Sequence, residues 1–257
     1  MKIIGINAFH ADSSACLIID GKLISAVEEE RFNRIKHWAG FPLESIKYCL
    51  RESNLNLSDI DHISINIDPK ANYFKKILFL IKYRPSLKLI FNRFKKKKKY
   101  NSIREILNKE FNGSNFNGQI NNIEHHYAHL SSAFHVSPFE ESCILSVDGF
   151  GDFASTAWGY GKNNKIKIDN KIHFPHSLGI FYQALTQFLG FKNYGDEYKI
   201  MGLAPYGKPT YVNQLRKILV TKPNGNFELN LDYFKFHKEN FNYRWENGKV
   251  EIEDLYT

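Results

Sequence analysis

The sequence predicts an α/β fold whose opening motif occurs twice. Short aliphatic and β-branched runs alternate with stretches of helical periodicity, the pattern of sheets flanked by helices. Residues 2–30 read as strand, polar turn, strand, turn, strand, and residues 142–172 repeat that order. Each copy sets a small polar turn after its first strand: "HADSS" begins at His10 and "DGFGD" at Asp148.

Taken in order, "KIIGINAF" and "ACLIID" are strands joined by the first polar turn. "KLISAVEEE" is a third strand after the Asp20-Gly21 turn. Pro42 opens a helix over "LESIKYCLRESN", because proline is accommodated in a first turn. "DHISINI" is a fourth strand. Residues 71–110 are helical with a break at Arg84-Pro85, and their apolar side chains alternate with lysines up to the run Lys95 to Lys99. Residues 112–122 are Asn/Gly-rich and read as a loop, although "GQINNIEH" has enough β-branched residues for a strand. "SLGIFYQALTQFLGF" is an amphipathic core helix and "YKIMGLAPYGKP" a Gly/Pro-punctuated loop. From about Lys222 the chain is strand-like and aromatic.

Charge is unevenly placed. The chain nets +8, but Lys70 to Glu110 alone nets +12, with fourteen Lys/Arg against two Glu, so the remainder nets −4. The basicity belongs to one segment rather than to the catalytic body. A solvated helical hairpin, a membrane-surface helix and a nucleic-acid contact compete to explain it. The solvated face is the default, because charge runs are usually hydrated. No stretch reaches the ~20 apolar residues of a membrane span, and the N-terminus does not read as a secretory leader. Cys16, Cys49 and Cys143 are odd in number and lack CxxC spacing, so a reduced cytoplasm is expected and a cysteine metal site is not.

The chemistry-bearing stretch is "HHYAHLSSAF". On a helix, His125 and His129 stand one turn apart on one face, where a strand hands over to a helix. Asp148 ends the apolar strand "SCILSV" and is placed to add a carboxylate. Two imidazoles and a carboxylate with open positions suit Fe(II), Mn or Zn better than Mg or Ca. Spacing alone leaves His126 and His129 as a competing pair, and ordinary surface or core histidines as a further reading. His10, Lys36 and the glycines also have plain readings as a hydrogen-bonded turn histidine, a solvated lysine and tight-turn positions.

The duplicated three-stranded start resembles the actin, sugar-kinase and heat-shock-chaperone ATPase superfamily, in which two such turns face one another and hold phosphates through backbone N–H groups. Gly149 and Gly151 would let the backbone approach an anion closely. On that plan residues 1–140 form a first lobe with a basic insertion at about 70–110, and residues 141–257 begin a second lobe. Several longer runs then resemble one family: "GINAFHADSSACLIIDGKLISAVEEERFNRIKHWAGFP", "HHYAHLSSAF", "SVDGFGD", "SLGIFYQALTQFLGF" and "YKIMGLAPYGKP" are similar to the carbamoyltransferases that decorate nodulation factors and antibiotics.

The resemblance implies that His125, His129 and Asp148 bind an iron-type metal, with Zn or Mn as alternatives, and that a further aspartate ligand lies beyond Thr257. It implies that His10 acts in carbamoyl transfer and that Lys36 contacts a carbamoyl-adenylate made from ATP and carbamoyl phosphate. Gly202 would belong to the nucleotide pocket. The implied partners are a small-molecule hydroxyl acceptor and a C-terminal, carbamoyl-adenylate-forming domain absent from this chain; DNA is not expected, and a homodimer is compatible. The competing functions are a tRNA threonylcarbamoyl transferase-like metal/ATP enzyme and a non-catalytic metal-binding fragment.

Overall fold

A computed structural model describes residues 1–86, 103–111, 114–239, 243–246 and 249–257. The chain divides into two compact units.

The first unit contains the described residues of Met1–Pro69, Phe91–Ile123 and Glu246–Lys249. Its sheet has the order β3-β2-β1-β4-β5, where β1 is Lys2–Asn7, β2 Ser14–Ile19, β3 Lys22–Glu28, β4 His62–Ile65 and β5 Gln119–Asn122. The first three strands form an antiparallel meander, whereas β1–β4 and β4–β5 are parallel. The parallel pairs require crossovers, which contain the helices Leu43–Glu52 and Ile103–Glu110. The first of these starts directly after Pro42, and its Ile46, Cys49 and Leu50 make the i, i+3, i+4 stripe that faces the sheet. These side chains join Ile4, Ile6, Leu17, Ile63, Ile65, Ile103, Leu107 and Phe116 in one buried cluster.

The second unit contains the described residues of Lys70–Ile90, Glu124–Trp245 and Val250–Thr257. A second antiparallel meander, in the order β6-β7-β8, runs through Glu141–Gly151, Ala154–Lys162 and Lys165–His173. The α/β class and the repeated three-stranded beginning are therefore as the sequence predicts. The helix His125–Phe134 packs Leu130 and Phe134 on Ile144 and Ala157. A larger cluster gathers Phe79, Phe153, Phe174, Ile180, Ala184, Leu229 and Phe236.

Two local expectations are corrected. "DGFGD" is not a turn that starts at Asp148: β6 runs on to Gly151, with an irregular register between Val147 and Gly151. The reversal falls at Asp152 and Phe153, which have φ of 48° and 72°, rather than at the glycines. "YKIMGLAPYGKP" is a loop only in its last residues. Glu197–Leu203 is helical, with Lys199 Nζ 2.6 Å from Asp196 Oδ1 across its first turn. A short 3-10 turn over Ala204–Tyr206, containing Pro205, follows it, since proline cannot continue the helical hydrogen bonding. In the basic segment, the helix Tyr73–Tyr83 ends as expected at Arg84, whose N–H caps the Leu80 carbonyl at φ 45°. The Lys95 to Lys99 run lies outside the described residues. No described helix is long and apolar enough to cross a membrane.

Candidate metal centre

The helix His125–Phe134 starts at Glu124, whose carboxylate accepts the Tyr127 N–H at 2.8 Å. The other Glu124 oxygen is 2.8 Å from Lys171 Nζ on β8, in a pair whose side chains are 15% and 17% exposed. Burial opposes ionisation of Glu124, but the Lys171 ammonium and the Tyr127 N–H outweigh it and hold the carboxyl below its ordinary range. The His125 N–H, another orphan donor of the first turn, goes to Asp152 Oδ2 at 2.9 Å. Two carboxylates thus fix the start of this helix, where negative charge is favourable.

With the helix so fixed, His125 and His129 project from one face. Their Nε2 atoms are 3.0 Å apart, and Asp148 Oδ2 lies 2.8 Å from His125 Nε2 and 3.7 Å from His129 Nε2. All three ligand atoms fall within 4.8 Å of one another. Asp148 reaches them because it sits in the irregular stretch of β6, the kind of feature that re-aims a side chain. Burial opposes charge on Asp148; hydrogen bonds from the two imidazoles and from the Gly149 N–H outweigh it and hold the carboxyl far below the ordinary range. His126 turns to the core, wholly buried, with Nδ1 2.9 Å from Ser146 Oγ. The rival His126/His129 pair is thereby decided against.

The backbone beneath this cluster is tightly packed. A Cβ built on Gly151 would overlap the His125 ring, coming within 2.5 Å of Nε2 itself and closer to Cδ2 and Cγ. Gly179 meets the Asp148–Gly149 peptide in the same way, its Cβ position 2.8 Å from three backbone atoms. Ser177 caps the helix Leu178–Phe188 by accepting the Ile180 N–H, and its hydroxyl donates to the Asp148 carbonyl at 3.0 Å. Around Gly149 a Cβ would meet nothing within 4 Å.

This arrangement fits a divalent metal. Two neutral imidazoles and a carboxylate are the donors such ions take, and donors sharing one ion at ~2.1 Å stand about 3 Å apart when at right angles. His129 is half exposed while His125 is 5% exposed, so the cluster is anchored on one side and reachable from the other.

His10 and Lys36 lie in the first unit, on two loops stitched together. The Phe9 N–H donates to the Gly40 carbonyl, the Ser13 N–H to the Trp38 carbonyl, and Ser13 Oγ to both Gly40 and His10 carbonyls. His37 Nδ1 and Asp12 Oδ1 are 2.9 Å apart. Phe9, Asp12, Arg34 and His37 all have positive φ, and such backbone concentrates where function over-determines it. His10 is half-buried and Lys36 exposed. Gly202 is on the exposed helix Glu197–Leu203.

Sequence reasoning missed Glu124, Ser177 and Gly179 as supports of the site, and it set Asp152 aside between a supporting acid and an exposed one. Only Ser177 had a signal, as a serine preceding an apolar helical run.

Residues 2–248 match the family described as Carbamoyltransferase N-terminus. The chain belongs to that family. It is 37% identical over 248 residues to an uncharacterized protein of Synechocystis, covering 91% of this chain and 39% of the relative. It is also 37% identical over 228 residues to the nodulation protein NolNO of Sinorhizobium fredii, covering 88% of this chain and 32% of NolNO. This member of the family therefore spans about two-fifths or less of these relatives' length. Among solved structures, YeaZ from Pseudomonas aeruginosa is similar at a TM-score of 0.38 and 10% identity, over 68% of each chain.

Proposed function

We propose that this carbamoyltransferase domain carries out the acceptor side of O-carbamoyl transfer, from carbamoyl-adenylate to a hydroxyl of a small molecule. The reading rests on one observation, the convergence of His125, His129 and Asp148 in a chain of this family. A divalent metal on these three, Fe(II) by preference, would supply positive charge to an oxygen of the reacting groups.

The chain's own residues have the remaining roles. His10 offers an imidazole that accepts the proton of the attacking hydroxyl. The hydroxyl oxygen bonds to the carbamoyl carbon, the bond from that carbon to the phosphate oxygen breaks, and AMP departs with the electron pair. Lys36 offsets the phosphate charge. Gly149, with open space at its Cα, lets the backbone approach an anion, and Gly151 and Gly202 are assigned to the same nucleotide with less local support. ATP and carbamoyl phosphate enter upstream, as the source of the adenylate.

Preformed carbamoyl-adenylate tests the reading without knowledge of the acceptor, since water can take the carbamoyl group. AMP release that requires added Fe(II), Zn(II) or Mn(II) and is lost in His10→Asn and His125→Ala is expected. Release without any metal, or an unchanged rate in His10→Asn, refutes it.

A further inference from the structure

The helix Tyr73–Tyr83 has two contrasting faces. Its inner side is pinned to the second unit: Phe79 is buried, with its ring 4.9 Å from that of Phe174 and 5.6 Å from that of Phe153. Asn72 Nδ2 donates to the Asp152 carbonyl at 2.8 Å just before the helix begins. Its outer side carries Phe74, Ile77, Leu78 and Ile81, spaced i, i+3, i+4, i+7 as one stripe. Phe74 is 80%, Leu78 58% and Ile81 68% exposed. Large apolar groups in such a stripe mark an interaction surface rather than scattered surface residues.

Beside the stripe lies a cleft of about 490 Å³ whose lining includes Lys75, Leu78, Lys82, Lys171 and Lys222. Lys171 and Lys222 are paired with Glu124 and Glu228. Lys75 and Lys82 have no carboxylate within salt-bridge distance among the described residues. The surrounding sequence is similarly one-sided: no Asp or Glu stands between Asp68 and Glu105. The segment nets +12 and the rest of the chain −4, so a negatively charged plane attracts this segment and repels the remainder.

We propose that this helix and its lysine-lined cleft dock on an anionic phospholipid surface. Phe74, Leu78 and Ile81 enter the boundary between headgroups and acyl chains, and Lys75 and Lys82 meet headgroup phosphates. An eleven-residue helix is too short to span a bilayer, but it suits lying in the interface, where apolar insertion and attraction to acidic lipids add. A solvated hairpin accounts for the lysines but not for a rigidly presented apolar stripe between them.

Sedimentation of the full chain with phosphatidylcholine vesicles, with and without phosphatidylglycerol, tests this. Binding to the phosphatidylglycerol vesicles at low salt is expected, at least ~tenfold weaker on neutral vesicles or in ~0.5 M salt. A Phe74→Ser/Ile81→Ser variant and a Lys75→Glu/Lys82→Glu variant should each lose about tenfold or more. All four positions are exposed, and an unchanged melting curve confirms that folding is intact. The proposal is overturned if the serine variant binds as well as the parent, because the lysines alone then suffice. It is equally overturned if inorganic phosphate, with ionic strength held constant by chloride, displaces the protein from vesicles, or if the same substitutions abolish a concentration-dependent dimer seen by light scattering without lipid.

Discussion

Replacing Gly151 by alanine isolates the packing that aims His125. The new Cβ would sit 2.5 Å from His125 Nε2 and closer still to Cδ2 and Cγ, whereas non-bonded heavy atoms settle at about 3.5–4.0 Å. The ring, the bulged strand or both must therefore move by roughly 1 Å or more, against a tolerance of about 0.2 Å in metal–ligand distance. Displacing one of the three proposed ligands in this way should weaken metal binding at least ~100-fold, equivalent to about 2.7 kcal/mol. Overpacking should also lower folding stability by about 1–3 kcal/mol. Gly149→Ala is the control two residues away, since its added methyl meets nothing within 4 Å. Competition between the protein and a metallochromic chelator for Zn(II) or anaerobic Fe(II) measures the first effect, and urea unfolding the second. If Gly151→Ala binds metal like the parent, or if Gly149→Ala is equally damaging, then tight packing does not hold His125 in place.

Further perturbations follow from the same geometry. Glu124→Ala removes a helix cap and leaves Lys171 partly buried without its partner; urea unfolding should show a loss of about 1–3 kcal/mol, and metal affinity should fall. Ser13→Ala deletes the hydroxyl that ties the His10 loop to Gly40, for about 1 kcal/mol of stability and faster hydrogen exchange at residues 9–13 with metal affinity unchanged. The pH dependence is set partly by His173, which burial first, and Lys75 and Lys171 after it, push down to about 4. The unfolded chain takes up that proton near ~6.5, so the contribution is complete above that pH and is lost as pH falls toward 4. Chemical denaturation between pH 7 and 4 should show His173→Asn with a shallower decline, by at most about 1.4 kcal/mol per pH unit and less after solvent screening.

Much of the architecture was readable one residue at a time. Alternation in "KIIGIN" and "SACLII" yields strands, because side chains two apart share a face. Ile46, Cys49 and Leu50 yield a helix by the same logic at helical spacing. His125 and His129 share a helix face for that reason as well, since one turn of helix is a local fact, although spacing left His126 and His129 as a rival pair. Asp148 was legible as an acid near a strand end, and the net charge of Lys70 to Glu110 needed only counting.

Other features depended on neighbours distant in sequence. Whether His126 or His125 joins His129 depends on Ser146, twenty residues onward, taking His126 into the core. The turn within "DGFGD" moved to Asp152 and Phe153 because β6 keeps pairing with β7 as far as Gly151. Glu124 and Asp152 became supports only when β8 and the end of β6 brought Lys171 and a carboxylate to the helix start. The chain by itself determined its periodicities, and hence its elements, its class and the histidine-bearing helix. Tertiary structure alone decided which polar atoms converge and which glycine must stay bare, because those outcomes depend on distances between segments that no local pattern encodes.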